Sequence, residues 1–143
     1  MMSVKNISFA AGAILVFIAL VTVFPNTIIG ETAFFHTDFA HNLIHFLSGV
    51  AILFVALQYE RFLGKTLRAL GMFYLALAVL GAITVGSASF GAVFGFVGMS
   101  GADHILHLII GIILVALGTK EIRIPLDDVA EDDLEEEYNP LTH

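Results

Sequence analysis

Residues 38–59 read DFAHNLIHFLSGVAILFVALQY. From Phe46 to Leu57 the stretch holds no polar side chain except Ser48, and Asp38 is its one formal charge. Crossing the hydrocarbon core of a bilayer takes about 20 apolar residues at about 1.5 Å of rise each. The stretch therefore reads as a membrane-spanning helix. Its carboxylate, Asp38, and its imidazoles, His41 and His45, crowd at one end together with Asn42.

Three more runs of this kind flank it. The first covers about residues 7–29, broken by Pro25 and Asn26. The third covers about 67–90 and the fourth about 103–119. The first run competes with a signal peptide, for which Lys5 would supply the charged start. No small-x-small cleavage motif follows the apolar core before Phe24-Pro25, and the run is longer than a usual signal core, so an uncleaved span is expected. Composition agrees with a lipid solvent. The chain of 143 residues is 58% hydrophobic and 13% charged, with a mean hydropathy of +0.93. So short a chain buries only about two-thirds of its surface and has no interior large enough for that much apolar matter.

Two stretches fall outside the spans. Residues 86–101 are apolar yet rich in Gly and Ser, and an interfacial or re-entrant turn is expected there. Residues 125–143 are dense in Asp and Glu and carry most of the net charge of −7; a disordered tail is expected. The division is thus a four-span bundle over 1–124 and an acidic tail over 125–143.

The cations set an orientation. Lys5 precedes the first span, Arg61, Lys65 and Arg68 lie around the second connection, and Lys120 and Arg123 follow the fourth span. These are all six Lys and Arg of the chain, and in a four-span arrangement they share one side. The positive-inside rule makes that side cytoplasmic, with both termini there. His36, His41, His45, His104 and His107 then gather on the opposite side, leaving His143 in the tail.

The second and fourth spans look alike. His41-Asn42-Leu43-Ile44-His45-Phe46-Leu47-Ser48-Gly49 aligns without a gap to Asp103-His104-Ile105-Leu106-His107-Leu108-Ile109-Ile110-Gly111. Both helices run the same way through the membrane, which points to a duplicated helical hairpin with parallel repeats. His45 and His107 become equivalent, as do His41 and Asp103.

Helical spacing puts Asp38, His41 and His45 on one face, at i, i+3 and i+7, and Asp103 and His107 on one face at i, i+4. Ionisable groups in spans are costly and face the bundle interior, where they find partners. The candidate metal ligands are therefore His41, His45, Asp103 and His107, with Asp38, Asn42 and His104 as supporting or alternate groups. Imidazole and carboxylate suit Zn, Fe or Cu, and imidazole also suits haem. Two other readings stay open. The cluster holds the helices together, with Asp38 and Asp103 as helix caps; or it handles protons or a small substrate, because His titrates near neutrality.

Several classes are excluded. With no cysteine, the chain has no disulfide, thiolate metal site, iron–sulfur cluster or cysteine nucleophile. It contains no GxSxG, HExxH or P-loop motif and no basic patch for nucleic acid. The acidic tail fits a solvated end better than a partner-binding one.

The segments His41-Asn42-Leu43-Ile44-His45 and Ala102-Asp103-His104-Ile105-Leu106-His107-Leu108-Ile109-Ile110-Gly111 resemble the paired signatures of the DUF4383 family. The resemblance covers about residues 5–120. It implies a small four-span protein of a bacterial or archaeal plasma membrane, and it marks His41, Asn42, His45, Asp103 and His107 as family-type positions. It assigns no activity.

The expectation from sequence is an all-α integral membrane four-helix bundle, built as a duplicated hairpin. Its expected role is that of a non-enzymatic membrane subunit or binding protein, bound to the lipid bilayer and working as a homo-oligomer or in a larger membrane complex. A haem- or metal-dependent redox protein is the alternative, and a small oligomeric transporter or proton-handling protein the next.

Overall fold

The computed structural model describes residues 3–24, 27–30, 35–86 and 90–121; the side chains of Gly30, His36 and Glu121 are outside that description. The acidic tail, His143 and Arg123 lie beyond it. Four helices carry the fold: α1 (Val4–Val21), α2 (Phe39–Gln58), α3 (Leu63–Thr84) and α4 (Gly101–Glu121). Each is long and apolar enough to cross a membrane. A single 3₁₀ turn, Glu60–Phe62, joins α2 to α3.

The boundaries follow local chemistry. Ser3 caps α1 by accepting the Asn6 N–H, and Asp38 caps α2 by accepting the His41 N–H. Helix α1 stops at Val21, well short of the apolar run to residue 29 and four positions before a proline in the sequence, a residue type that disfavours helical geometry in the one preceding it. Helix α3 starts earlier than the apolar pattern suggested and ends at Thr84. Two residues later Gly86 takes a φ of 67°, which stops a helix.

The Gly/Ser-rich stretch before α4 is a β-hairpin. Strand β3 (Gly91–Val93) pairs antiparallel with β4 (Val97–Met99), and Phe94 and Gly95 turn the chain with positive φ, as a mirror-image hairpin turn demands. On the first repeat's side, β1 (Ile29–Gly30) and β2 (Phe35–His36) make a two-residue parallel pair. Val93, Val97 and Met99 are buried with Leu77 and pack against Ala40, Ile44, Leu80 and Val85. The β3–β4 hairpin thus closes one end of the bundle.

Helices pair as two antiparallel hairpins, α1 with α2 and α3 with α4, and the hairpins meet along a thinner seam. Both pairs cross at glycines. A Cβ placed on Gly49 would lie 2.7 Å from the Gly12 carbonyl oxygen; one placed on Gly111 would lie 2.9 Å from that of Gly71. Gly49 and Gly111 stand 62 positions apart, as do His45 and His107 and the first residues of α2 and α4. The same crossing is built twice, with small residues letting the backbones touch.

The core between the hairpins contains Leu15, Ile52, Ala56, Leu63, Leu67, Tyr74, Leu114 and Leu117. The outer faces are just as apolar: Phe17, Phe39, Ile83 and Ile105 are each more than half exposed. A water-soluble bundle would put polar side chains there, so the solvent of these faces is lipid. Lys5, Arg61, Lys65, Arg68 and Lys120 all sit at the end of the bundle opposite the β3–β4 hairpin.

Candidate metal centre

The site forms where α2 and α4 begin, beneath the β3–β4 hairpin. Asp38 anchors it from outside. One carboxylate oxygen accepts the His41 N–H at 2.8 Å and the other accepts the Gly98 N–H at 2.6 Å. It ties the start of α2 to strand β4. A Cβ at Gly98 would fall 2.8 Å from the Asp38 oxygen and displace the carboxylate that holds this strand. The Gly98 carbonyl then points back at the helix and accepts from Nδ1 of His41 at 2.8 Å.

Three imidazoles converge below this anchor. Nε2 of His41 lies 3.1 Å from Nε2 of His45 and 3.2 Å from Nε2 of His107. His41, His45 and His107 each offer one nitrogen, and all three nitrogens lie within 4.8 Å of one another. His45 stacks with His41 and His107 at centroid separations of 4.9 and 5.6 Å, and His41 and His107 are tilted to each other at 5.1 Å. All three residues are 2% exposed or less. His41 and His45 come from one hairpin and His107 from the other, so the cluster bridges the seam between the repeats. Tyr74, fully buried in the middle of α3, backs it: its hydroxyl is 3.3 Å from Nδ1 of His45, and its ring lies against His107.

Proton counting makes this arrangement informative. A carbonyl oxygen only accepts, so Nδ1 of His41 carries a hydrogen. Neutral His41 then keeps one lone pair on Nε2, facing two other Nε2 atoms. One neighbour donates an N–H into that lone pair; the second contact has no hydrogen bond left to make. A doubly protonated His41 fares no better, with one Nε2–H for two acceptors. A cation at the point where the three nitrogens converge satisfies all of them at once.

The distances suit such a cation. Three nitrogens bound at about 2.0–2.1 Å in tetrahedral or trigonal geometry stand roughly 3.3–3.5 Å apart, close to the two contacts that His41 makes, and the His45 and His107 nitrogens lie within 4.8 Å of each other. Two of the three rings also have the outer partner that metal-bound imidazoles use to fix tautomer and orientation, the Gly98 carbonyl and the Tyr74 hydroxyl.

Not every residue expected at the site joins it. Asp103 is buried, but one oxygen accepts the Ser100 N–H at 2.6 Å and the Ser100 hydroxyl at 2.7 Å. It holds the Ser100 N–H at the start of α4, one half of a capping box, and is outside the trio of nitrogens. The expected symmetry of His41 with Asp103 therefore fails at this position: one is a ring in the cluster, the other a cap. His104 turns to the α3–α4 interface and packs its ring on Gly81, where a Cβ would meet it at 2.5 Å. Both its ring nitrogens, Nδ1 of His107 and the side-chain oxygens of Asn42 and Thr37 are buried with no hydrogen-bond partner among the described residues. His36 contributes backbone to β2.

Tyr74 and Gly98 are absent from the sequence expectation. Tyr74 carried a signal, as a phenol in the middle of an apolar span that needs a partner. Gly98 carried none, because its part is played by backbone.

Bundle and site together define a class: a four-helix membrane protein with a buried trihistidine cluster on a two-fold repeat. Residues 5–120 match the model of the family described as Domain of unknown function (DUF4383), and the chain belongs to that family. No curated protein and no solved structure matches the chain.

Proposed function

We propose that the protein is a membrane-resident binding protein, without catalytic activity of its own, that holds a transition-metal ion between its two helical hairpins through His41, His45 and His107. One observation carries this reading: Nε2 of His41 lies within hydrogen-bond distance of the Nε2 atoms of both His45 and His107, while its single lone pair has room for one N–H. A metal ion at that point accepts a lone pair from each ring and removes the mismatch.

The reading places the protein in a prokaryotic plasma membrane. Both termini face the cytoplasm, as the clustering of Lys and Arg supports, and the metal sits near the outer face. The thin seam between hairpins would be clasped by the ion, because its ligands come from both sides. A homo-oligomer or a larger membrane complex is the expected setting, since so small a bundle leaves most of its apolar surface to neighbours. A haem fits the donors poorly. Two histidines on one haem iron stand about 4 Å apart with the porphyrin plane between them, and these rings are already in contact.

Elemental analysis of protein purified without chelators, together with its visible spectrum, tests the proposal. One equivalent of a transition metal and no Soret band are expected. A metal-free protein that also takes up none on dialysis against Zn(II), Cu(I), Ni(II), Co(II) and Fe(II) would refute it.

A further inference from the structure

We infer that the ion for which this centre is built is monovalent copper, held by His41, His45 and His107 in a closed three-coordinate site. The inference rests on the metal-binding reading above and names its ion.

Charge is the first argument. The three donors are neutral imidazoles, and no carboxylate among the described residues joins them. Asp103 is committed to Ser100, and Asp38 to the start of α2 and Gly98. The chain has no cysteine to supply a thiolate. The complex therefore keeps the full charge of its ion. The self-energy of an ion in a low-dielectric interior grows as the square of its charge, so a monovalent ion pays roughly a quarter of the penalty of a divalent one. With its ligands 2% exposed or less, at membrane depth, the site is where that factor weighs most.

Coordination number is the second argument. Zinc takes four ligands, the fourth commonly a water or hydroxide in three-histidine sites. The Tyr74 hydroxyl, the polar group that backs the rings, is on Nδ1 of His45. Cu(I) and Zn(II) share a filled d shell without directional preference, so charge sets the ligand number: the singly charged ion is content with three imidazole nitrogens, where the doubly charged one draws in a fourth ligand. The two Nε2 contacts of His41, 3.1 and 3.2 Å, are near the roughly 3.5 Å of three nitrogens in a plane around an ion at about 2.0 Å, and a small turn of the His45 and His107 rings, whose nitrogens lie within 4.8 Å, completes the triangle.

The test uses the full chain in detergent, titrated anaerobically with Cu(I) against the chelator bicinchoninate and separately with Zn(II) against a zinc indicator. One Cu(I) per chain is expected, bound at least about 100-fold more tightly than Zn(II). Copper X-ray absorption of the wild-type protein should show three imidazole scatterers; two or fewer would overturn the inference without any variant being needed. Tighter or equal binding of Zn(II) overturns the choice of ion and leaves the metal-binding reading standing. Failure of every ion to bind overturns both. Retention of Cu(I) by a His45→Ala/His107→Ala variant with native helix content also overturns it, since the copper would then sit elsewhere.

Discussion

Replacing Tyr74 by Phe removes the outer support of His45 together with the phenol's hydrogen bond to Ser48. The phenol is fully buried, and its oxygen makes a 3.3 Å contact with Nδ1 of His45. Phe keeps the ring that packs against His45 and His107 and removes that one oxygen. At 3.3 Å the hydrogen bond is long, and interhelical hydrogen bonds in membranes average about 0.6 kcal/mol. Tyr74→Phe should therefore cost apo stability about 0.5–1 kcal/mol, a factor of roughly 2–5 in the folded-to-unfolded ratio. Metal affinity should suffer more. Without the oxygen, the His45 ring loses its fixed tautomer and orientation, and such losses cost about 10–100-fold in affinity; the length of this bond puts the expectation near 10-fold. Denaturation in mixed detergent measures the first effect, and chelator competition on the same preparation measures the second. The reasoning fails if affinity is unchanged while stability falls, because Tyr74 would then be ordinary packing and the outer partner of His45 irrelevant to binding.

Three further outcomes are expected. Gly49→Ala and Gly111→Ala push a Cβ to within 2.7–2.9 Å of the backbone or side chains of the partner helix, so each should destabilise the bundle by about 1–3 kcal/mol and to a similar degree, readable by thermal aggregation in detergent; a neutral result at either site would break the equivalence of the two hairpins. Asp103→Ala should cost about 1 kcal/mol of stability through loss of the α4 cap while metal stoichiometry holds at one, and loss of the ion in a well-folded variant would return Asp103 to the ligand set. Cysteine introduced at Arg61 should be labelled from the cytoplasmic side and one at Phe94, in the β3–β4 turn, from the opposite side; labelling of both from one side would overturn the orientation.

Much of the fold was legible because the signals were local. Runs of about 20 apolar residues, cations at one end of each hairpin and a repeat spaced by 62 positions need no tertiary information. Asp38 at i, i+3 from His41 reads as a cap, and the capping bond is there. Helix ends were less legible. The apolar run to residue 29 and the run to residue 90 outlast α1 and α3, because hydropathy does not register the backbone demands of a proline or a positive φ. The hairpin at Gly91–Met99 was also hidden, since a turn and two three-residue strands leave no periodicity to detect.

At the site, sequence alone determined which residue types crowd one end of the second and fourth helices, and helical spacing put His41 with His45 and Asp103 with His107 on shared faces. Tertiary structure decided which of them meet. Two of those residues, His41 and Asp103, occupy matching places in the repeat, yet the Gly98 carbonyl, 57 positions from His41, turns that ring inward, while Ser100 draws Asp103 into a cap. A pattern along one helix fixes the direction of a side chain only to within a face. The nitrogen that points into the cluster is chosen by what the other nitrogen bonds to, and that partner arrives from a distant part of the chain.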